Sequence, residues 1–326
     1  MFTHARMRLA AAAFAALVTG NLIQAQTGPS LLVAPFPKEQ FTDARGGWTY
    51  EDAGHVKGSD DSLRLGFYET AGRVRLFPGN LTSPRVGWEF QYIDIRGNPD
   101  LLPGQLTDQS VGVAFPVAKV DEWIFGVALG LGYAGASPFG EGTAWYGKAT
   151  AVAFRQFSDS DALVFVLDYD GNRTFLPDVP LPGVAYTRRV SPSLFYVVGL
   201  PLSSVTWKPL DKLSVEAGWY PIESFHASAG YEFTPHWSAF ASLDYRSSAF
   251  RLEGLSGNDR LLFQQRRAEV GLRFAPRVGK DTFAVTAAAG YAWGQEFSTG
   301  FDSRKSDEVA DVSDEPYVRF GVEVKF

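Results

Sequence analysis

The chain has 326 residues, 45% hydrophobic and 20% charged, with a formal net charge of −6. It is too apolar for an intrinsically disordered chain, and its mild acidity without any basic run excludes the electrostatic footprint of a nucleic-acid binder. Cysteine is absent, which excludes a disulfide framework, a thiolate metal site, a lipoprotein anchor and a cysteine nucleophile.

At the start, His4, Arg6 and Arg8 precede an apolar run from Leu9 to Val18, and Ala25 offers a small residue for cleavage. This pattern predicts a secretory signal peptide over 1–25. Its apolar core is too short for a spanning helix, which needs about 20 residues. Residues 26–60 alternate poorly and are broken by Pro, Gly and Asp. They read as a periplasmic extension or partial plug, with room for one short strand around Trp48.

From residue 61 to 326 the chain reads as strands, which place alternate side chains on opposite faces. Leu63, Leu65 and Phe67 are in step, then Val86, Trp88, Phe90 and Tyr92. Trp123 to Tyr133 alternates bulky residues with Gly126, Gly130 and Gly132. Leu163 to Tyr169, Leu213 to Trp219, Phe225 to Phe233, Trp237 to Tyr245, Ala268 to Phe274 and Phe283 to Trp293 repeat the pattern. The stretch from Val184 to Trp207 is the least regular, broken by Pro192 and Pro201.

Two features distinguish these strands from those of a soluble sandwich. The apolar face often begins or ends in Trp or Tyr, as interfacial girdles do. Connections also alternate in length: short turns at 119–121, 158–160, 209–212, 234–236 and 276–280, longer loops at 96–105, 135–144, 171–183, 253–259 and 298–314. In hydrocarbon every backbone polar group needs an internal partner, so only a closed sheet can span. The expected fold is all-β: a single-chain transmembrane antiparallel up-and-down barrel of about 14 strands, within a range of 12–16. A barrel of that size encloses a lumen.

The polar faces carry Glu216, His226, Glu232, Asp244, Arg246, Arg267, Glu269 and Arg273. These are the candidate pore-lining residues, with Arg267, Glu269 and Arg273 on one strand beside Asp244 and Arg246 on the preceding one. Either they form a solvated wall of ion pairs, or opposed acidic and basic rows set selectivity. No catalytic residue is expected: His226 lies between Ser224 and Ser228, but no G-x-S-x-G elbow occurs. No metal or cofactor is expected either, because Asp168 and Asp170 lack the other ligands of a calcium loop. The Pro-rich loop from Asn172 to Gly183 is stiff and apolar, and is expected to fold inward or over a mouth.

The last stretch, Tyr317 to Phe326, places Val318, Phe320, Val322, Val324 and Phe326 on one face. It resembles the C-terminal strand of bacterial outer-membrane barrels. That resemblance implies that Phe320, Val322, Val324 and Phe326 form the signal read by the barrel-assembly machinery. The loop FLPDVPLPG (Phe175 to Gly183), the segment GLPLSSVTWKP (Gly199 to Pro209), the WYP at Trp219 to Pro221 and the terminal Phe326 resemble an uncharacterised family of outer-membrane β-barrels of Gram-negative bacteria. The resemblance covers nearly the whole mature chain. It implies fold and location (an exported protein of the bacterial outer membrane, partnered by the lipid bilayer) but no cargo and no oligomeric state. The functional expectation is a passive, porin-like channel for small polar solutes. The alternatives are a transporter of hydrophobic small molecules, or a plugged structural or adhesion barrel.

Overall fold

The computed structural model describes residues 27–33, 36–37, 40–80, 82–97, 101–220, 224–255, 257–278 and 281–326. The expected signal peptide over 1–25 lies outside them.

A short helix, α1 (Pro29–Val33), precedes the strands β1 (Thr42–His55), β2 (Ser62–Arg75), β3 (Arg85–Arg96), β4 (Gln105–Val120), β5 (Trp123–Gly135) and β6 (Trp145–Gln156). There follow β7 (Asp161–Asp170), β8 (Leu181–Ser191), β9 (Leu194–Leu200), β10 (Ser203–Leu210), β11 (Leu213–Tyr220) and β12 (Ser224–Glu232). The last six are β13 (Trp237–Phe250), β14 (Arg260–Phe274), β15 (Arg277–Val278), β16 (Asp281–Asp302), β17 (Lys305–Val312) and β18 (Glu315–Lys325).

All belong to one sheet, antiparallel throughout, and β1 pairs with β18, so the sheet closes on itself. β15 is a two-residue hairpin arm. β17 and β18 lie end to end along the 22-residue β16 and act as one strand of the wall. The wall therefore has sixteen strands, the top of the expected range. The two beyond the expected fourteen come from stretches where the alternation is masked. Pro192 and Pro201 flank β9, and Asp43, Arg45, Gly46 and Gly47 dilute the start of β1. The wall accordingly begins at Thr42, not at residue 61. β1 is paired along both edges, and Trp48 stacks on Phe320 of β18 with ring centroids 6.1 Å apart.

Both ends of the wall meet at one rim, where the Phe326 carbonyl accepts hydrogen bonds from the amides of Phe41 and Thr42. The connections there include 121–122, 157–160, 192–193, 211–212 and 233–236. Connections at the opposite rim include 97–104, 136–144, 171–180 and 251–259. We call these the turn end and the loop end. Among the described connections the phase of the alternation is mostly the expected one, with exceptions. The turn-end connection 76–84 is long, and the loop-end connection 201–202 is short. The expected loop at 298–314 is instead the hairpin of β16 and β17.

The outward face is hydrocarbon. Val111, Leu129, Leu131, Leu167, Val270, Leu272, Val318 and Phe320 are exposed there. Aromatic groups collect toward the two rims: Trp123 with Phe125 and Phe165 toward the turn end, and Tyr133 with Phe139 and Trp145 toward the loop end. The wall is uneven in height. β9 to β11 run 7, 8 and 8 residues, short against the roughly 9–11 of a tilted spanning strand, and β12 runs 9, at its lower edge.

Candidate functional site in the barrel lumen

Three layers fill the barrel, each built from side chains at the inward positions of the pleat.

The turn-end layer is the N-terminal segment. Inward glycines make room for it: a Cβ on Gly112 would lie 2.9 Å from the Thr27 carbonyl oxygen, and one on Gly126 would lie 2.9 Å from Leu32. Glycine at such positions marks close backbone approach. The Thr27 amide donates to Glu89 at 3.0 Å, and its hydroxyl shares a 2.8 Å hydrogen bond with Ser110. Leu31 is buried against Ala114 and Ala128. Arg85 donates to the Leu31 and Leu32 carbonyls, and Arg75 to those of Phe36 and Pro37. Residues 27–37 were expected within a periplasmic extension or partial plug; their described part lies against the inner wall.

The middle layer is a belt of ion pairs. Arg246 reaches Glu69 at 2.7 Å, Arg319 chelates Glu269, and Tyr317 donates to Glu269 at 3.1 Å. His226 donates through Nδ1 to Asp244 at 2.6 Å, and Ser242 links Asp244 to Glu269. The buried Arg267 guanidinium lies 5.6 Å from the Tyr317 ring centroid. Five of the eight pore-lining candidates thus share one cluster: His226, Asp244, Arg246, Arg267 and Glu269. Arg273 stands apart, paired with Glu323 at 2.9 Å nearer the turn end. Glu216 stands in register beside Ser228 on the adjacent strand β12, and Glu232 is exposed at the turn end. A second cluster joins Lys148 to Asp170 and Glu89, and Tyr146 to Asp108.

The loop-end layer is apolar. Leu63, Leu65, Phe67, Ile93, Ile95, Leu106, Phe250, Phe263 and Phe297 form one buried cluster inside the wall. Phe263 sits between Phe67 and Phe297, at centroid distances of 5.7 and 4.8 Å. The loop-end half of β13 leans across the barrel to cover it. Arg246 reaches β2, Ser248 donates to Gln91 on β3 at 2.9 Å, and the Arg251 amide donates to the Ala134 carbonyl of β5 at 3.0 Å. Loop 171–180 crosses the mouth from the other side. Asn172 donates to Asp108 and to the Ala249 carbonyl, and Thr174 meets Ser247 at 2.9 Å. Arg260 donates to the Arg173 carbonyl at 3.1 Å, and Arg304 lies over the Phe175 ring. At the rim, Lys57 hydrogen-bonds Asp311 at 2.7 Å, which holds its ammonium above the usual lysine range.

Several of these residues were not singled out in the sequence. Glu69, Arg73 and Arg75 follow Leu63, Leu65 and Phe67 on the same inward face of β2. The switch from apolar to charged at a constant period of two was the available signal. Phe36 carried none, because residues 26–60 have no alternation to orient it.

A closed antiparallel barrel with a hydrocarbon exterior and a charged belt inside is a barrel of the outer-membrane type. Solved structures similar to this chain include a FadL homologue of Pseudomonas aeruginosa (9% identity, 88% of this chain and 90% of that one, TM-score 0.41). They also include the Pseudomonas putida toluene transporter TodX (9%, 96% and 95%, TM-score 0.38) and an outer-membrane channel of Pseudomonas putida F1 (11%, 89% and 97%, TM-score 0.36). No protein-family profile and no curated protein matches the chain.

Proposed function

We propose that the protein is an outer-membrane channel in its closed state, passing small apolar or amphipathic molecules. The observation that carries this reading is the loop-end cluster of Leu63, Leu65, Phe67, Phe250, Phe263 and Phe297, where a path for polar solutes would need water and hydrogen-bonding groups. Moving a hydrated solute past that surface strips its hydrogen bonds without replacement. An apolar molecule loses nothing there. This supports the second of the two transport expectations better than the porin-like one.

The test compares two solutes in proteoliposomes. Uptake of an apolar fluorescent dye should rise on incorporation of the refolded protein, while osmotic swelling in arabinose should match empty liposomes. Arabinose swelling without dye uptake would return the reading to a polar-solute porin.

A further inference from the structure

We propose that the outward face of β2 and β3 at the loop end binds the phosphorylated headgroup of a glycolipid of the outer leaflet, through Arg64 and Arg96. The inference concerns the exterior of the wall and stands apart from the route through the lumen. Arg64 and Arg96 are direct register partners on the two strands. Leu63, Leu65, Ile93 and Ile95 point into the lumen, so both arginines lie on the outward face. Directly opposed side chains start about 5 Å apart, and like charges placed there repel. Arg96 has one counter-charge, Asp94 of its own strand at 2.9 Å. Arg64 makes no hydrogen bond and no ion pair among the described residues, and its Nε is shielded without a partner. Asp52 on the neighbouring β1 turns instead to the Ala53 amide at 2.8 Å. The guanidinium carbon of Arg64 lies 5.7 Å from the Tyr50 ring centroid. That ring attracts the cation but carries no net charge, so the two guanidinium groups and Asp94 together keep a positive charge.

The depth of the pair selects the partner. On the same outward face, nearer the middle of the wall, stands an aromatic group. The Tyr68 and Tyr92 rings lie 5.9 Å apart, and Trp48 lies 6.1 Å from Tyr50 and 6.4 Å from Tyr68. Trp and Tyr on the outer wall of a membrane barrel mark the headgroup level. Arg64 and Arg96 follow that group toward the loop end, where long basic side chains carry their charge into the interface. Barrels of this type turn their long loops to the cell exterior, so the lipid at this rim is the outer leaflet. A phosphate ester on its glycolipid presents several oxygens to two planar guanidinium forks, the pairing for which arginine is built. Its charge offsets the repulsion between Arg64 and Arg96.

Titration of the refolded chain without residues 1–25, in neutral detergent, tests this with fluorescent lipid A and its dephosphorylated form as probes. EDTA is present, so that no divalent cation bridges the lipid to an acidic side chain. The unaltered protein should bind lipid A about tenfold more tightly than the dephosphorylated form, and Arg64→Gln with Arg96→Gln should remove that difference. Asp94→Asn, which takes away the competing carboxylate, should bind lipid A several-fold more tightly. Arg266 is the control. It is exposed on the outward face and lies over Tyr245, but its register partners are Tyr245 and Trp293, with no arginine opposite. Arg266→Gln should leave the affinity unchanged. Heat-modifiable migration on gels shows that each variant is folded. Equal affinity for the two lipids would overturn the proposal, as would unchanged binding in the double variant. An equal loss on Arg266→Gln would overturn it too, by showing diffuse attraction to charge. Displacement of lipid A by millimolar inorganic phosphate would replace the lipid by a free anion as the ligand.

Discussion

Arg246 and Glu69, 177 positions apart in the chain, meet across the barrel at 2.7 Å. The contact draws the loop-end half of β13 over the apolar cluster, with Ser248 on Gln91 and the Arg251 amide on Ala134 completing the crossing. Arg246→Ala leaves Glu69 without this partner inside the barrel. Removing one member of a fully buried pair costs roughly 3–5 kcal/mol, and the partial exposure of Glu69 lowers the expected loss to about 2–3 kcal/mol. A lower urea midpoint for refolded protein in lipid should report it. The exchanged pair, Arg246→Glu with Glu69→Arg, should recover most of the loss.

The aromatic stack beneath that crossing gives a second prediction. Phe263 is fully buried between Phe67 and Phe297. Phe263→Ala should destabilise the barrel by about 3–5 kcal/mol, the range for a large buried ring cut to a methyl group. Val270→Ala, on the outward face of the same strand, exchanges one lipid-facing side chain for another and should change the midpoint far less. A comparable loss at both positions would mean that the inner cluster is not packed.

Much of this arrangement was legible in the sequence, and the limits have physical causes. Alternation identified the outward face of β5, β13 and β18 because lipid demands an unbroken apolar row. The inward positions answer to several neighbours at once. Leu63, Leu65 and Phe67 look like any lipid-facing row, yet they point into the lumen, and only pairing with β1 and β3 fixes which face is which. The clustering of Asp244 with Arg267 follows from their direct register, whereas Arg246 with Glu69 depends on β13 crossing the lumen. No local pattern encodes that crossing. Phe36 was invisible for a related reason: the arginines over its ring, Arg73, Arg75 and Arg85, lie on strands its own segment does not join.

The N-terminal segment is held by a fit as close as its hydrogen bonds. Gly112→Ala places a methyl group 2.9 Å from the Thr27 carbonyl oxygen, closer than carbon and oxygen tolerate. The segment should shift and lose the Thr27 contacts with Glu89 and Ser110. Limited proteolysis should then cleave before β1 several-fold faster, while the barrel itself remains resistant. Gly142→Ala, where a Cβ meets nothing within 4 Å, should leave the cleavage rate unchanged.

The lid of residues 171–180 depends on Arg260, which is buried and donates to Arg173 and Phe301 carbonyls at 3.1 and 2.5 Å. Arg260→Ala should leave those carbonyls unsatisfied and raise amide hydrogen exchange across the lid, by about tenfold for a loss of roughly 1.4 kcal/mol. Exchange within β4 and β5 should not change.

At the loop-end rim the Lys57–Asp311 pair gives a pH dependence. Its hydrogen bond raises the folded pKa of Lys57 above the unfolded value. The contribution is therefore fully present below the unfolded lysine pKa of about 10.4 and is lost as pH rises through the higher folded value. An isolated bridge joins Val56 to Val312 beside this pair, and its fraying should increase on that alkaline side. Lys57→Met should show the same fraying at neutral pH and no further change on raising it.

Ion conductance across a planar bilayer tests the central claim most directly. The refolded chain without residues 1–25 should insert without stepwise ionic current, because the apolar layer, the crossing loop 171–180 and the described part of the N-terminal segment lie inside the wall. The same preparation should carry the apolar dye into liposomes. Steady, stepwise conductance from the unaltered protein would contradict the account and show a water-filled pore through its lumen.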